Sequence, residues 1–461
     1  MAQKGEIRWR ELAGSREFYA KMCAIAIPIA LQNLITIGVN MMDTIMLGSL
    51  GEIAMSASSL ANQFISIYHI ACMGIGMGAS VMVSRFFGMG DMRSLKKSVT
   101  IMLRLCLSFG LLFVVLTALF PGGIMRIYTP DEEIVRQGVR YFRWSIATYL
   151  LLGLSLDLTL VLRSIGKAKI PLFCACLSFG TNIFFNWVFI FGKLGAPRME
   201  VAGAALGTFL SRLIECGIIV GYFLVVDKTV GYRVRDFFVS CSDLVKEYLT
   251  ICIPVVISDS LMALGNSAIA IIMGHIGAAF VSANAITSVT QQLTTVFTQG
   301  ISQASCIMTG HTLGEGKIEQ AQKDGYSFTF AGLVLGILAG LIVLMIKNPV
   351  IGLYNIAEET RMIADQLMDA IALILVFQST NSILTKGVLR GGGDTRFLMA
   401  GDVLFLWIAS VPLGILAGLV LHLPAFWIYF FMKIDQILKC VWCFFRLRSG
   451  KWIKKIEGAK R

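Results

Sequence analysis

A single aspartate stands inside the first long apolar segment of this chain. Asp43 lies in the run Asn40-Met-Met-Asp-Thr-Ile-Met-Leu-Gly48. A carboxylate inside a hydrophobic segment is costly unless it is neutralised, paired or hydrated. Burial disfavours the charged form, so Asp43 is a candidate for taking up and releasing a proton. The alternative interpretation is that Asp43 is a structural residue, whose carboxylate is hydrogen-bonded by neighbouring hydroxyls and amides and has no further role.

Neutral polar side chains occupy other apolar runs. Asn182 and Asn186 lie one helical turn apart and share a helix face, and Thr208 follows in the next run. Their oxygens are able to hydrogen-bond a carboxylate or to ligate a hard cation such as Na⁺. Asparagines that join helices through hydrogen bonds are the alternative. The candidates for lining a substrate cleft are Asn40, Met46, Gln63, Asn266, Gln291 and Asn381.

Four further acids lie within apolar runs. Asp157 and Asp259 are possible buried acids with a function. Glu215 follows Arg212 at the spacing of a helical ion pair, which predicts a structural pair. Asp402 lies near the cytoplasmic end of its run, and we expect it to pair with Arg396 or Arg390.

The composition indicates that these residues lie in a membrane. The chain has 461 residues, of which 56% are hydrophobic and 15% charged. A bilayer span needs about 20 apolar residues, and twelve runs approach that length. They predict an all-α integral membrane protein with spans at about 24–47, 55–83, 99–120, 141–162, 170–192, 201–226, 249–273, 281–309, 327–346, 368–389, 397–421 and 424–445.

The distribution of the basic residues explains the net charge of +12 by membrane topology and not by nucleic-acid binding. Lys and Arg concentrate in both tails and in alternate loops, which predicts that both termini are cytoplasmic. The first apolar run is too long for a cleavable signal peptide and lacks a cleavage site. The eleven Cys are scattered without metal-ligand spacing. We therefore expect no cofactor, no nucleic acid and a bilayer as the main partner.

The chain repeats itself. Residues 28–91 match residues 254–317 at an offset of 226, as Pro28 and Pro254 illustrate. Six spans in each half keep both copies in one orientation, which predicts two lobes related by a pseudo-twofold axis along the membrane normal. The expected parts are an amphipathic cytoplasmic segment at 1–23, an N-lobe at 24–226, a cytoplasmic linker at 227–248, a C-lobe at 249–445 and a basic cytoplasmic tail at 446–461.

Paired glycine-containing loops follow spans 2 and 8. Arg85-Phe-Phe-Gly-Met-Gly-Asp91 and His311-Thr-Leu-Gly-Glu-Gly-Lys317 look like phosphate cradles, but no Walker Lys-Ser follows and no strand precedes. Tight interhelical turns that use glycine's positive φ explain them better. The chain is thus not expected to be an ATP-driven pump by itself, and no pattern points to an enzyme.

Several motifs together resemble the multidrug and toxic compound extrusion (MATE) family, in its bacterial branch. They are the first-span pattern above with its span-7 echo, the paired glycine loops, Leu162-Arg-Ser-Ile-Gly-Lys-Ala-Lys-Ile-Pro171, Asn182-Ile-Phe-Phe-Asn-Trp-Val-Phe-Ile-Phe-Gly192, Val201-Ala-Gly-Ala-Ala-Leu-Gly-Thr208 and Leu389-Arg-Gly-Gly-Gly-Asp-Thr-Arg396. The resemblance covers about residues 20–455. It implies two six-helix bundles in a V around a central cleft. It also implies export of amphipathic, often cationic, compounds by antiport with H⁺ or Na⁺, from a bacterial plasma membrane, by what we expect to be a monomer.

The resemblance assigns cation coupling to Asp43, with the positions of Asn182, Asn186 and Thr208 facing it. Asn186 stands where many relatives have aspartate, which weakens a Na⁺ site and favours H⁺. In the second half Asp43 corresponds to Ile269, Met262 stands where some relatives have glutamate, and Ser379-Thr-Asn381 replaces an aspartate. The coupling chemistry is therefore predicted in the first lobe.

Two other functions remain as alternatives. A flippase for lipid-linked intermediates of the same superfamily requires several basic residues in the cleft, and the spans offer few, namely Arg104, Arg212 and Lys386. A channel or receptor scaffold without active transport fits poorly with a two-lobe repeat that contains a buried acid.

Overall fold

The structure is a computed structural model that describes residues 14–354 and 356–456, and all regular structure within those ranges is helical. Nine helices there are long and apolar enough to span a membrane, or ten if one bent pair is a single span. The helices of the first half are α1 (Arg16–Gly48), α2 (Glu52–Met89), α3 (Met92–Leu119), α4 (Pro121–Tyr128), α5 (Glu132–Ser145), α6 (Thr148–Ser164), α7 (Lys169–Phe191) and α8 (Val201–Gly221), with a π-helical end at Tyr222–Val226.

The second half repeats this series of helices. They are α9 (Ser242–Ile276), α10 (Ala278–Gly314), α11 (Ile318–Gly352), α12 (Glu358–Ser382), α13 (Thr395–Val403), α14 (Val411–Ile415), α15 (Ala425–Met432) and α16 (Ile434–Arg448). Segments of π-helix extend α12 over Ile383–Leu389 and join α13 to α14 over Leu404–Ser410. Each of the twelve predicted apolar runs coincides with helical chain, which confirms the all-α membrane fold.

Two predicted spans are less regular than the sequence suggests. The fourth is bent by 57° between α5 and α6. Charged residues are frequent in α5, whereas α6 is mostly apolar and has only Asp157 and Arg163 as charged residues. The twelfth is broken at Lys433, between α15 and α16. Non-helical backbone within a membrane is tolerated where it is buried in protein or lines a cavity.

The chain forms two compact units. One holds Leu31–Phe87 and Asp91–Val256, and the other holds the described residues up to Ala30, Gly88–Gly90 and the chain from Ile257. We call them the N-unit and the C-unit. Pro28 and Pro254, which are equivalent in the repeat, lie inside α1 and α9 close to the points where each helix passes from one unit to the other. Proline removes a helical hydrogen bond and promotes a kink there.

The paired glycine loops are tight interhelical turns, as predicted. Gly90 and Gly316 have φ of +71° and +77°, and both connect consecutive helices. Gly166 and Gly393 form a second equivalent pair at +81° and +85°. An L-residue is strained in this left-handed region, and glycine is not. The repeat therefore preserves the turns that orient the helices.

Both ends of the chain are only partly described. The predicted amphipathic segment at 1–23 falls largely outside the described residues, which begin at 14, and Arg16 already starts α1. In the predicted tail, residues 457–461 lie outside the description. Trp452 is fully buried, and its Nε1 donates to Gln322 Oε1 at 2.8 Å.

The linker at 227–248 packs against α3 inside the N-unit. Lys96 Nζ lies 3.0 Å from Asp236 Oδ2, and Lys97 Nζ lies 2.6 Å from Asp243 Oδ2. The hydrogen bond from Lys97 lowers the pKa of Asp243 below its ordinary value of 3.8. Since α9 begins at Ser242, the last seven residues of the predicted linker are helical.

Candidate functional site

The N-unit contains a cavity of about 880 Å³ whose walls come from α1, α2, the end of α4, α5, α6, α7 and α8. Its ionisable lining residues include Asp43, His69, Arg212 and Glu215. Asn182 and Thr208 line it as well. Three of the four residues of the predicted coupling group therefore line one cavity, namely Asp43, Asn182 and Thr208, although they come from three different helices. Asn186 is buried and does not line it.

Asp43 is hydrogen-bonded to the predicted asparagine pair. Asn186 Nδ2 donates to Asp43 Oδ1 at 2.6 Å and to Asn182 Oδ1 at 3.2 Å. Asn182 and Asn186 are buried, with 2% and 0% of their surfaces exposed. A short hydrogen bond to a carboxylate is among the stronger kinds. The three side chains therefore form a chain that links α1 to α7.

A close helix contact places Asn186. Its side chain and backbone lie against Gly207 of α8, where a Cβ would approach the Asn186 backbone N to 3.0 Å and would collide with Asn186 Oδ1. Gly203, one turn earlier, allows the same close approach at Phe189. These two glycines let α7 and α8 pack at short distance, which directs the Asn186 amide towards α1.

The Asn186 amide presents its nitrogen to Asp43. Its oxygen, Oδ1, is buried and has no hydrogen-bond partner within the described residues. Thr208 lines the cavity. Asp43 itself is half-buried, so its carboxylate is accessible from the cavity. The group therefore offers one titratable acid, two amides and one hydroxyl.

Glu215 forms a second polar centre in the same cavity. Its Oε2 accepts from Arg212 Nη1 at 2.8 Å and from Ser178 Oγ at 3.1 Å, and its Oε1 accepts from Ser155 Oγ at 3.0 Å. The predicted pair of Arg212 and Glu215 is confirmed. With its charge balanced and its oxygens bonded, this centre joins α6, α7 and α8.

Three of the residues expected to line a cleft lie in the N-unit, and their surroundings differ. Asn40 lines the cavity together with Asp43. Met46 is buried against Leu47 and Ile190, so it fills the core between helices instead of facing the cavity. Gln63 is exposed on α2 and does not line the described cavity.

Asp157 is the most deeply enclosed acid of the N-unit. None of its surface is exposed, and neither carboxylate oxygen has a hydrogen-bond partner within the described residues. A Cβ at Gly76 would lie 2.5 Å from Asp157 Oδ1, so the carboxyl group packs directly on the backbone of α2. An ionised carboxylate in that setting carries a large desolvation cost.

The C-unit has its own cavity of about 440 Å³. Asn266 and Gln291, both predicted cleft residues, line it. Asn381 is buried outside this cavity, where its Nδ2 donates to Gln436 Oε1 at 2.9 Å. Tyr429 Oη donates to Gln291 Oε1 at 3.1 Å.

The two acids of the C-unit have partners that the sequence did not reveal. Asp259 lies 3.5 Å from Arg390 Nη2. Asp402 pairs with Lys439 at 3.2 Å, so the expectation that Arg396 or Arg390 would pair with it is wrong. Helix packing brings α16 beside α13, so that Lys439 lies closer to Asp402 than Arg390 or Arg396 does.

Several polar residues of these sites were missed from the sequence. Lys439 also pairs with Asp435 at 3.0 Å and is 2% exposed, so the spans contain more basic residues than the sequence count suggested. The i,i+4 spacing of Asp435 and Lys439 was the available signal. For His69 the signal was an imidazole within a predicted span, and for Lys433 it was a lysine at the centre of one.

Comparisons with known proteins agree over both halves. The family model described as MatE matches residues 28–188 and 254–416. A "Probable multidrug resistance protein NorM" from Thermotoga maritima is 24% identical over 440 residues, which are 95% of this chain and 94% of that protein. "Multidrug resistance protein MdtK" from Yersinia pseudotuberculosis is 24% identical over 90% of this chain and 92% of its own length.

Solved structures show the same fold. A crystal structure of a MATE protein in the straight conformation has a TM-score of 0.85 at 19% identity, covering 96% of this chain and 98% of that one. An outward-facing multidrug resistance transporter of the same family has a TM-score of 0.84 at 20% identity, covering 98% and 100%.

Proposed function

The chain belongs to the MatE family of multi-pass membrane transporters, and from that premise we propose that it exports amphipathic organic cations in exchange for protons. The observation that carries the proposal is the Asp43–Asn186–Asn182 chain in the wall of the N-unit cavity. The relatives named as multidrug resistance proteins support export as the direction of transport.

The arrangement of the amides favours a proton over a sodium ion. Asn186 turns its N–H group towards Asp43 and its oxygen towards Gly207. An N–H donor stabilises an ionised carboxylate, and it repels a metal cation that would bind there. Sodium therefore requires rotation of a buried amide, whereas a proton needs only the second lone pair of Asp43.

Protonation of Asp43 then changes the hydrogen bonding. Neutral Asp43 accepts more weakly from Asn186, and it no longer attracts a cationic substrate within the cavity. Binding of H⁺ and of substrate thus oppose each other. A coupling free energy of about 1–3 kcal/mol makes each ligand weaken the other by a factor of about 5–150.

The proposed orientation in the membrane is based on the distribution of basic residues along the sequence. Basic residues concentrate at both tails and in alternate loops, which supports cytoplasmic termini in a bacterial plasma membrane. We propose a monomer as the transporting unit, with small molecules as its substrates.

Efflux from proteoliposomes tests the function. Purified protein is reconstituted with ethidium inside, and release is followed under an imposed proton gradient and then under an imposed sodium gradient. We expect release with the proton gradient alone. In D43N that release falls to the rate of protein-free liposomes, because a neutral amide does not titrate.

The matched control is E359Q, which removes one negative charge from an exposed position at the start of α12. It is expected to transport like the parent protein, and both variants are checked for folding by size-exclusion chromatography and melting temperature. Parental export by D43N refutes the role of Asp43, and sodium-driven export that D43N abolishes refutes the choice of ion.

A further inference from the structure

The C-unit cavity is the repeat-equivalent of the acidic cavity in the N-unit, with its charge reversed. Asn40 and Asp43 line the first cavity, and their counterparts at the offset of 226, Asn266 and Ile269, line the second. The acid is thus replaced by an apolar side chain at the matching position. The charged residue that lines the C-unit cavity is Lys433.

The remaining lining of this cavity is neutral. Within the described residues it consists of amides, hydroxyls and apolar side chains, and no carboxylate contributes to it. Gln291 Nε2 donates to Gln378 Oε1 at 2.8 Å, and Gln291 Oε1 accepts from Tyr429. These bonds fix the orientation of Gln291 and leave the N–H groups of Gln378 available as donors.

Lys433 has no carboxylate within ion-pair distance among the described residues. Its Nζ contacts Asn266 Oδ1 at 3.4 Å. Asp435, two residues later, is buried and is bonded to Lys439 at 3.0 Å and to Ser410 at 3.1 Å. The ammonium group therefore keeps at least one donor for a ligand, and the Asn266 amide nitrogen next to it is a second.

Three buried charged residues, Asp402, Asp435 and Lys439, form an ion-pair cluster in the same unit as Lys433. Asp402, Asp435 and Lys439 together carry one net negative charge. Both carboxylates pair with Lys439, and neither lies within ion-pair distance of Lys433, which lines the cavity. Lys433 also occupies the break between α15 and α16, and interrupted helices form many ligand sites in transporters.

From this geometry we propose that the C-unit cavity binds a singly charged oxyanion, such as the carboxylate of a small amphipathic molecule, with Lys433 as its counter-ion. Charge-assisted hydrogen bonds from an ammonium group and neutral amides recognise such a group. The volume of about 440 Å³ admits a molecule of fused-ring size. The site goes beyond the proposed cation export and does not depend on Asp43.

Equilibrium binding to the purified protein in dodecyl maltoside tests the site. The probes are dansylglycine, which has a carboxylate, and dansylglycinamide, which has the same fluorophore and no charge. We expect saturable dansylglycine fluorescence that K433Q weakens at least tenfold and K433R preserves. Dansylglycinamide is expected to bind equally to all three proteins. K451Q, which removes an exposed lysine of the same unit, is the matched control.

A second variant covers the case in which K433Q does not fold. N266D places a carboxylate next to Lys433 and is expected to abolish dansylglycine binding, because the new acid forms an ion pair with the ammonium group. Equal dansylglycine affinity in the parent, K433Q and N266D overturns the proposal, and so does equal affinity of the parent for both probes.

Two further arms separate the possible sources and functions. Phosphatidylglycerol added to the micelles competes if the oxyanion is a lipid headgroup, and failure to compete assigns the site to a soluble carboxylate. D43N is expected to bind dansylglycine like the parent. If D43N loses cation export and still binds dansylglycine, the two sites act independently, and one proposal can fail without the other.

Discussion

Replacing Gly207 by alanine tests whether the contact between α7 and α8 positions the candidate site. The new Cβ would lie 3.0 Å from the Asn186 backbone N and 3.2 Å from its Cγ, while ordinary contacts begin at 3.4 Å. The backbone must therefore yield by at least 0.4 Å, the difference between 3.4 and 3.0 Å. The Asn186 side chain must move further, because its Oδ1 overlaps the new methyl group.

That movement acts directly on the bond to Asp43. At 2.6 Å the Asn186–Asp43 hydrogen bond is short, and a shift of about 1 Å takes it beyond the usual limit of about 3.2 Å. A hydrogen bond to a charged group contributes about 1.5–3 kcal/mol, which corresponds to roughly a 10- to 150-fold change in an equilibrium. Overpacking destabilises the fold by a further ~1–3 kcal/mol.

The assay compares G207A with G217A. Gly217 lies on the same helix, and a Cβ there meets nothing within 4 Å. Proton-driven ethidium efflux is expected to fall at least tenfold in G207A and to stay at the parental rate in G217A. The melting temperature is expected to fall in G207A only.

A double variant separates lost geometry from lost stability. N186A in the G207A background removes the clashing oxygen, so the melting temperature partly recovers, whereas efflux remains low because the bond to Asp43 is still absent. If G207A transports and melts like G217A, the helix contact does not position the site, and the reasoning fails.

Three further perturbations have expected outcomes. N186D places a second carboxylate beside Asp43 and is expected to allow ethidium efflux under a sodium gradient, which the parent lacks; unchanged ion selectivity would count against the role of the Asn186 amide. K439M leaves two buried carboxylates without their cation and is expected to cost about 3–5 kcal/mol of stability, visible as a large fall in melting temperature, and no fall contradicts the ion-pair cluster. D243N removes the partner of Lys97: because the folded pKa of Asp243 is below 3.8, the stabilisation is present above that pH and disappears as the pH falls through the folded value. The melting temperatures of D243N and the parent should therefore differ at pH 7, and the difference should shrink as the pH falls below 3.8. A difference that does not depend on pH contradicts the pairing.

The sequence predicted the helices well because membrane spans need long apolar runs. Each of the twelve predicted spans coincides with helical chain, and the turns at Gly90 and Gly316 have the positive φ that their composition suggested. The bend of the fourth span and the break at Lys433 were not predicted, because hydropathy averages over a window and does not register a local interruption.

The candidate site was partly predictable. Asp43, Asn182 and Asn186 could be grouped from their types, their spacing and the family resemblance, and they are hydrogen-bonded in the structure. Met46 has a type that suits a cleft wall, yet it packs in the core. Which side of a helix faces a cavity depends on its neighbours, and a single apolar helix does not encode that side.

By itself, the sequence determined the positions and order of the twelve apolar runs, the repeat and the identity of the one acid in the first span, since these depend on local composition and spacing. Only the tertiary structure decided which distant groups meet. Close packing at Gly207 turns the Asn186 amide towards Asp43. In the second half, the same repeat position holds Ile269, and the charge comes from Lys433 at the break between α15 and α16. Such pairings arise from helix contacts far apart in the chain, and the pattern of one segment does not specify them.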